Sequence, residues 1–501
     1  MLGGGLAGMA TALRLQARGL STVVLEAHGH VGGCAGYFRK RGFSFDVGAT
    51  TLVDFEPGPP GGGPDGVGAE LLDAAGITTW DAQALPGYVA WLPDRTVTLH
   101  RDQDAWRVER LRAFGDTPAH RAFWALLDRL AEAFWAATRA GARMPIRTPA
   151  DAVANLRSLR ARDLPLVRYV GHTLGETLRR YGLREDRALT ALLGMLVEDT
   201  VHSTVDRAPL VNAALGITIR GAGLSRYRGG MHGFWRLLVG RYRELGGDLR
   251  VGCRVSRVDG RAGAFRVETS RGPVRAAQVV SALPVEATAG IAAATGIGRR
   301  LHPYLERDRG DQGGAIVVFL GVPESQVDGQ ALTHHQLLHD YQRPLGDGNN
   351  MFVSVSAPDD HDSAPPGHRA VMISTHTELS TWDTTSEIEY ARRKHEAEER
   401  LIALARRVYP RLGEAAVFRA IGTPRTYQAY TSRPRGAVGG VRQTPHNANQ
   451  HAVPHHLGVD GLWLVGDTTW PGLGTVACAL GSRLVADRVA ARQAARHWSI
   501  A

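Results

Sequence analysis

Gly3, Gly5 and Gly8 stand in the spacing G-x-G-x-x-G near the head of "MLGGGLAGMATALRLQARGLSTVVLEA", with Leu6 and Ala7 between the last two glycines. That spacing suits the binding of a diphosphate by main chain alone. The first glycine turns the chain, the second lets backbone approach the phosphates, and the third lets helix and strand pack closely. The diphosphate then meets a helix N-terminus, where free N–H groups and the dipole favour negative charge. Glu26 lies 18 residues beyond Gly8 at the end of a short apolar run. A carboxylate there accepts hydrogen bonds from ribose hydroxyls and repels a 2′-phosphate, so the expected ligand is a dinucleotide of the FAD or NAD type rather than NADP.

The far end of the chain carries a second signal. "DGLWLVGDTTWPGLGTVACALGSRLVADRV" reads as a buried strand Leu462 to Val465, a Gly466-Asp467 turn, a glycine-rich loop and a helix of small residues. An acid after glycine in such a turn accepts hydrogen bonds from flavin ribityl hydroxyls, and the next helix start offers N–H groups to ring or phosphate oxygens. "GLGTVA" also fits G-x-G-x-x-A, but the remaining chain is too short for another strand ending in an acid. One dinucleotide is therefore expected.

Elements of two kinds must position these residues. Around the fingerprint, "MATALRLQARG" reads as an apolar-striped helix stopped by Gly19, followed by a strand Thr22 to Leu25. From Met231 to Leu283 the α/β pattern returns: a helix "MHGFWRLLVGRYRELGG", strands in "DLRVGCRVSRVDG" and "AFRVETS", and a buried strand in "AAQVVSALP". Val255 is placed for its backbone to meet the adenine end of the dinucleotide. Between lie a helix-rich stretch from about Ala105 to Leu215 and, from 300 to 425, strands such as "GAIVVFLGV" and "NMFVSVSAP". A charged helix opens there at Ser386 with Glu389 as a capping box. Phe123, Leu127, Leu130 and Phe134 form one apolar stripe, with Trp124 and Trp135 beside it, and read as core. "DFEPGPPGGGPDGVG" (Asp54 to Gly68) reads as a mobile, tolerated insertion. The expected fold is α/β. A discontinuous Rossmann-like FAD-binding domain (1–85, 221–299 and 426–501) joins a mixed α+β substrate part made of a helix-rich, membrane-facing piece (86–220) and a further piece (300–425).

At 501 residues, 44% hydrophobic and 22% charged, the chain suffices for two or three packed units. The formal charge is +10, yet only Lys40 and Lys394 are lysines, and the remaining 57 basic residues are arginines scattered without a basic block or aromatic platform. Nucleic acid is not an expected partner. No apolar run approaches the ~18 residues of a spanning helix, and no basic stretch precedes an apolar signal core. A cytoplasmic protein peripheral to a membrane is expected. Cys34, Cys253 and Cys478 form no C-x-x-C pair, which argues against a disulfide framework or zinc site. His335 and His339 have i, i+4 spacing without the zincin Glu, and "PHNANQHAVPHH" reads as a loop, so no metal site is expected. Met1-Leu2 is too short for the strand that should precede the fingerprint, and about five to eight strand-forming residues are expected upstream.

Taken in order, the fingerprint to Glu26, "HVGGCAGYFRKRGFSFDVGAT" (His30 to Thr50), "YRGGMHGFWRLL" (Tyr227 to Leu238) and "GLWLVGDTTWPGLG" resemble the carotenoid desaturase and isomerase family of FAD oxidoreductases over nearly the whole chain. The resemblance implies a monoamine-oxidase or phytoene-desaturase type of fold, with FAD as cofactor. It places Gly32-Gly33 along the flavin diphosphate, Asp46-Val47-Gly48-Ala49 near the flavin, and Gly466-Asp467 on it. Phytoene desaturases carry Arg after the double glycine, whereas this chain has Cys34, as in the bacterial 3,4-desaturase and isomerase branches. The change removes a cation and leaves the diphosphate to backbone N–H groups. Cys34 reads as a small packed residue rather than a redox nucleophile.

The resemblance implies dehydrogenation of a carotenoid, 1-hydroxylated at its end group, at the 3,4 position. Quinone or oxygen would be the electron acceptor and a membrane surface the source of substrate. The alternatives within the family are cis-trans isomerisation without net redox change and phytoene desaturation. A prenyl-lipid escort protein would share the fold without catalysis. Flavin does the hard step, so the protein needs to supply orientation and a dry apolar tunnel. No catalytic residue is assigned from the sequence.

Overall fold

A computed structural model describes residues 1–57 and 66–498; residues 58–65 of the proline- and glycine-rich insertion fall outside it. The nucleotide signals converge on one parallel sheet assembled from distant stretches. Val23–Leu25 pairs in parallel with Asp248–Arg250, and Val279–Ser281 with Leu462–Leu464. Leu2 joins the two pairs as the central position, bridging Leu25 on one side and Ser281 on the other. Its N–H donates to Val280 at 2.9 Å, and its carbonyl accepts from Ala282 at 2.8 Å. Buried on both faces, these strands are short apolar runs, as a parallel sheet covered by helices requires. Helix Leu6–Ala17 and the C-terminal helix Thr475–Trp498 pack on each other over this sheet. "DLRVGCRVSRVDG" supplies two strands rather than one: Asp248–Arg250 in the parallel sheet and Val255–Asp259 in a three-stranded meander with Phe265–Thr269 and Val274–Ala276.

The second large element is a seven-stranded sheet in the order Phe418–Gly422, Gly313–Pro323, His368–Glu378, Asn350–Val355, His334–Leu338, Gly87–Trp91, Thr96–His100. Its last two strands lie at the head of the stretch read as helix-rich. Strand Gly313–Pro323 shows why its sequence is apolar throughout. Ile316, Val318, Leu320 and Val322 point into the core that includes Leu401, Ile402 and Ala405 of helix Glu387–Ala405. Ala315, Val317 and Phe319 point the other way, toward Phe43, Phe45 and a large cavity. Period-two alternation with both faces buried leaves no polar position.

Helix Pro118–Arg139 buries Phe123, Trp124, Leu127 and Leu130 and packs on helix Leu210–Thr218, the core role expected of that stripe, whereas Phe134 and Trp135 are half-buried against the separate core around helix Leu6–Ala17. Helix Glu387–Ala405 forms only half of its expected capping box. Ser386 accepts from the Glu389 N–H at 3.2 Å, but the Glu389 carboxylate turns to Arg392 and Arg393 instead. A carboxylate flanked by two guanidiniums gains more from charged donors than from one amide.

Candidate functional site

A cavity of about 1210 Å³ runs from the parallel sheet to the seven-stranded sheet. Gly3, Gly5, Leu6, Ala7, Glu26, Gly32, Gly33, Val255, Gly466 and Asp467 all line it, although they come from five separate parts of the chain. Gly8 does not. A Cβ there would lie 2.2 Å from the Gly3 carbonyl oxygen, so its task is to close the helix onto the turn. Gly5 does the opposite. It caps helix Leu6–Ala17 without a side-chain bond, and a Cβ on it would meet no protein atom within 4 Å, projecting into open cavity. Gly32 donates its N–H to the Gly4 carbonyl at 3.0 Å and has φ of 139°, a conformation in which a Cβ would also strike Gly36. Such a hollow, lined by main chain and filled by any Cβ, fits a dinucleotide diphosphate.

The acids flank this hollow. Glu26 accepts from the Gly4 N–H at 2.6 Å and from the His28 N–H at 2.7 Å, which fixes its carboxylate while leaving lone pairs for ribose hydroxyls. Asp467 is paired with Arg433, Nη1 to Oδ2 at 2.9 Å. The pairing and burial of Arg433 beside Cys34 and Cys478 have two effects. The Asp467 charge and hydrogen bond more than offset desolvation, so the guanidinium holds its proton above the ordinary arginine range. Burial pushes the Cys34 thiol up, and the Cys478 thiol to about 12. Neither thiol is a nucleophile in that state. The cation absent next to Gly32-Gly33 in sequence is therefore present in space, contributed by a residue 400 positions later that sequence reasoning missed.

Of the segment Asp46 to Ala49, Val47, Gly48 and Ala49 line the cavity but Asp46 does not. Its carboxylate is buried, accepting from Arg226 at 2.6 Å and from the Met231 N–H at 2.7 Å. Burial raises its proton affinity and Arg226 opposes this. Asp46 is thus a strut that ties the hairpin Tyr37–Lys40/Phe43–Asp46 to the start of helix Gly230–Glu244.

Beyond the cradle the walls become apolar, with Met195, Ile219, Leu224, Val317, Phe319 and Phe352. One polar cluster interrupts them: Asp199, His202, Gln336, Asn350 and His376. His376 Nε2 lies 3.4 Å from Asp199 Oδ1, Gln336 donates to the other Asp199 oxygen, and Asn350 donates to Glu198 at 2.6 Å. None of these was singled out from sequence. His335 lies elsewhere, in the core, where Trp91 Nε1 meets its Nδ1 at 3.2 Å and Tyr409 OH its Nε2 at 3.0 Å.

Comparison with known proteins gives a consistent result. The family described as NAD(P)-binding Rossmann-like domain matches residues 2–60, and Flavin containing amine oxidoreductase matches residues 174–490. Prolycopene isomerase 1 of an Oncidium hybrid is 23% identical over 98% of this chain and 83% of its own length. The 4,4'-diaponeurosporene oxygenase of Staphylococcus aureus is 22% identical over 99% of this chain and 98% of its own. Among solved structures, an oxidoreductase from Methanosarcina mazei superposes with a TM-score of 0.61 at 16% identity, covering 97% of this chain and 99% of that one. Putrescine oxidase bound to putrescine gives 0.60 at 16% identity, covering 98% of each. The discontinuous α/β fold expected from sequence is the one these structures share.

Proposed function

We propose a function from the premise that this chain belongs to the flavin-containing amine oxidoreductases and, within them, to the carotenoid desaturase and isomerase group. FAD is its cofactor and oxidoreduction its chemistry. The reading that follows is an FAD-dependent 3,4-desaturase acting on a carotenoid, 1-hydroxylated at its end group. The observation that carries it is the continuity of the cavity. At about 1210 Å³ it exceeds the ~300–1,000 Å³ of a site for one small molecule, and a glycine cradle at one end opens into apolar walls at the other. Gly3, Gly5, Leu6 and Ala7 would hold the diphosphate by main chain, with Gly32-Gly33 alongside. Glu26 would take the ribose, Val255 the adenine end, and Gly466-Asp467 the ribityl chain, with Arg433 holding Asp467 in place.

Bound FAD supplies a two-electron hydride acceptor. The chain's own part is to strip water from a long polyene and to fix one carbon against the ring. Met195, Leu224, Phe319 and Phe352 suit that task because they offer no hydrogen bond and so bind by shape alone. A quinone or oxygen would reoxidise the flavin. Substrate would enter from a bilayer. Among the described residues no helix is long and apolar enough to cross a membrane. Of the eleven exposed large apolar residues among those described, seven nevertheless fall between 146 and 170, including Leu156 at 74%, Val170 at 66% and Val167 at 54%. A concentration of exposed apolar side chains marks a contact surface, here interspersed with Arg157, Arg160, Arg162 and Arg168, which suit anionic headgroups. Isomerisation is the second reading, favoured by the prolycopene isomerases among the relatives.

Flavin-loaded protein, anionic vesicles, a quinone and a panel of carotenoids test the proposal. The expected product is lighter by two hydrogens with a red-shifted polyene spectrum. A product of equal mass supports the second reading, one heavier by an oxygen atom overturns both, and conversion of no carotenoid refutes the substrate class.

A further inference from the structure

A second cavity of about 540 Å³ adjoins the first and differs from it in character. Arg184, Arg187, Asp340, Asp347, Glu378 and Arg442 are among its walls. His202 and His376 are the residues that line both cavities. On either side of this partition stand two consecutive acids near the end of helix Arg187–Val201: Asp199 faces the apolar cavity and Glu198 the polar one. The side chains of His376 and Asp199 keep 26% and 30% of their surfaces open, and the spaces they border are these cavities. A helix places consecutive residues about 100° apart, so one turn delivers an acid to each side of a single imidazole.

We propose that Asp199 and His376 form a proton relay carrying the substrate proton out of the apolar cavity into the polar one, with Glu198 receiving it there. The proposal rests on the desaturase reading. Making a double bond from a CH₂–CH₂ unit breaks two C–H bonds. The hydride would leave with its electron pair, bound FAD supplying the two-electron acceptor and a quinone or oxygen the final oxidant. The proton leaves the neighbouring carbon, and its C–H electron pair becomes the new π bond. Apolar walls offer that proton no acceptor of their own. The Asp199 carboxylate takes it as O–H, passes it to His376 as N–H, and His376 releases it toward Glu198 and water in the second cavity.

The surroundings of His376 suit the task. Burial alone would lower its proton affinity, but Glu198 and Asp199 outweigh burial and the opposing charge of Arg442, so it is held above its usual value. Burial raises Glu198 as well. His202 meets His376 edge-on with ring centroids 4.9 Å apart and is kept neutral, far below its usual value, by burial and by His376, Arg442 and Arg433. It completes the partition without competing for the proton. Gln336 and Asn350 are neutral donors that hold the two acids. The cluster also lies close to the cofactor end. The His202 ring packs on Gly439, and Gly440 packs on the Asp467 main chain, so any Cβ at either glycine would collide.

Two readouts on flavin-loaded protein test the relay. In an NMR titration of ring-labelled histidine, His376 is expected to titrate above pH 6.5 in the wild type and to fall below it in Asp199→Asn. A midpoint unmoved by that variant overturns the relay even if no carotenoid is turned over, an outcome that would separately refute the desaturase reading. In turnover, Asp199→Asn and His376→Gln are expected to lose about 10²-fold, in the range of general acid–base catalysis, with flavin absorbance and melting temperature retained. Imidazole added to His376→Gly is expected to restore turnover through the second cavity. Full activity in His376→Gln, or no response to imidazole in a flavin-loaded His376→Gly, overturns it.

Discussion

At the diphosphate end of the main cavity the contacts come from main chain. Gly5 leaves an open hollow, Gly8 closes the helix on Gly3, and Gly32 can hold its φ of 139° only without a side chain. Around the polar cluster they come from side chains gathered from helix Arg187–Val201 and from strands His334–Leu338, Asn350–Val355 and His368–Glu378. A site built from backbone needs a local run of residues that remove side chains. A site built from side chains needs only that distant segments meet. The first kind constrains a run of six residues, Gly3 to Gly8, and the second constrains single positions up to 177 residues apart, as at Asp199 and His376.

Asp46→Ala sharpens the comparison most strongly, because Asp46 sits in the sequence neighbourhood of the cradle but acts as a buried strut. Removing it leaves Arg226 as an uncompensated buried cation, and a destabilisation of about 3–5 kcal/mol is expected in denaturant titrations of apoprotein. A loss confined to flavin binding would return Asp46 to the site. Gly5→Ala makes the converse case. Its Cβ meets no protein atom, so apoprotein stability should hold while FAD affinity falls about 100-fold or more, read by equilibrium dialysis. Glu26→Ala, which leaves the Gly4 and His28 amides and the ribose hydroxyls without an acceptor, should cost about 10- to 100-fold by the same measurement.

The legible parts of the molecule were those with local grammar. The glycine spacing, Glu26 and Gly466-Asp467 were found because each is a short pattern with its own physical reason, Gly32-Gly33 came with the family resemblance, and, Gly8 excepted, the structure brings them to one cavity. The parallel sheet followed from short apolar runs at both ends of the chain. Strands Gly87–Trp91 and Thr96–His100 pair with each other as a local hairpin, but the strand that joins this hairpin to the sheet, His334–Leu338, lies more than 200 residues on. Arg433 was invisible for a related reason: its sequence neighbours "TSRPRGAV" show an arginine in a turn, and its role exists only beside Asp467. "VEDTVHS" did hold a signal, two acids and a histidine within five residues at a helix end, but nothing local told it from a solvated helix terminus.

Buried histidines give a third, smaller effect at sites away from both ends. Burial lowers His335 and His455 to about 4, so both are neutral in the folded protein at neutral pH. Below pH 6.5 the unfolded chain takes up protons that the folded chain refuses. Their contribution is therefore complete above pH 6.5 and is lost as pH falls toward 4, at about 2 kcal/mol for each by pH 5. Thermal melts between pH 8 and pH 5 check this, and His455→Asn should flatten the slope. The smallest effect is expected at the exposed apolar stretch. Leu156→Ser with Val167→Ser should weaken binding to anionic vesicles about tenfold in sedimentation, with flavin content unchanged.

The central claim is that one cavity brings FAD and a carotenoid together for transfer of two electrons. Its most direct test is an anaerobic titration of oxidised, flavin-loaded protein with carotenoid, following flavin absorbance and product mass together. The account predicts one flavin bleached for each double bond formed, a product lighter by two hydrogens, and no further turnover until a quinone or oxygen is admitted. An oxidised protein that stays yellow and inactive, while its pre-reduced form converts carotenoid to an isomer of equal mass, would contradict it.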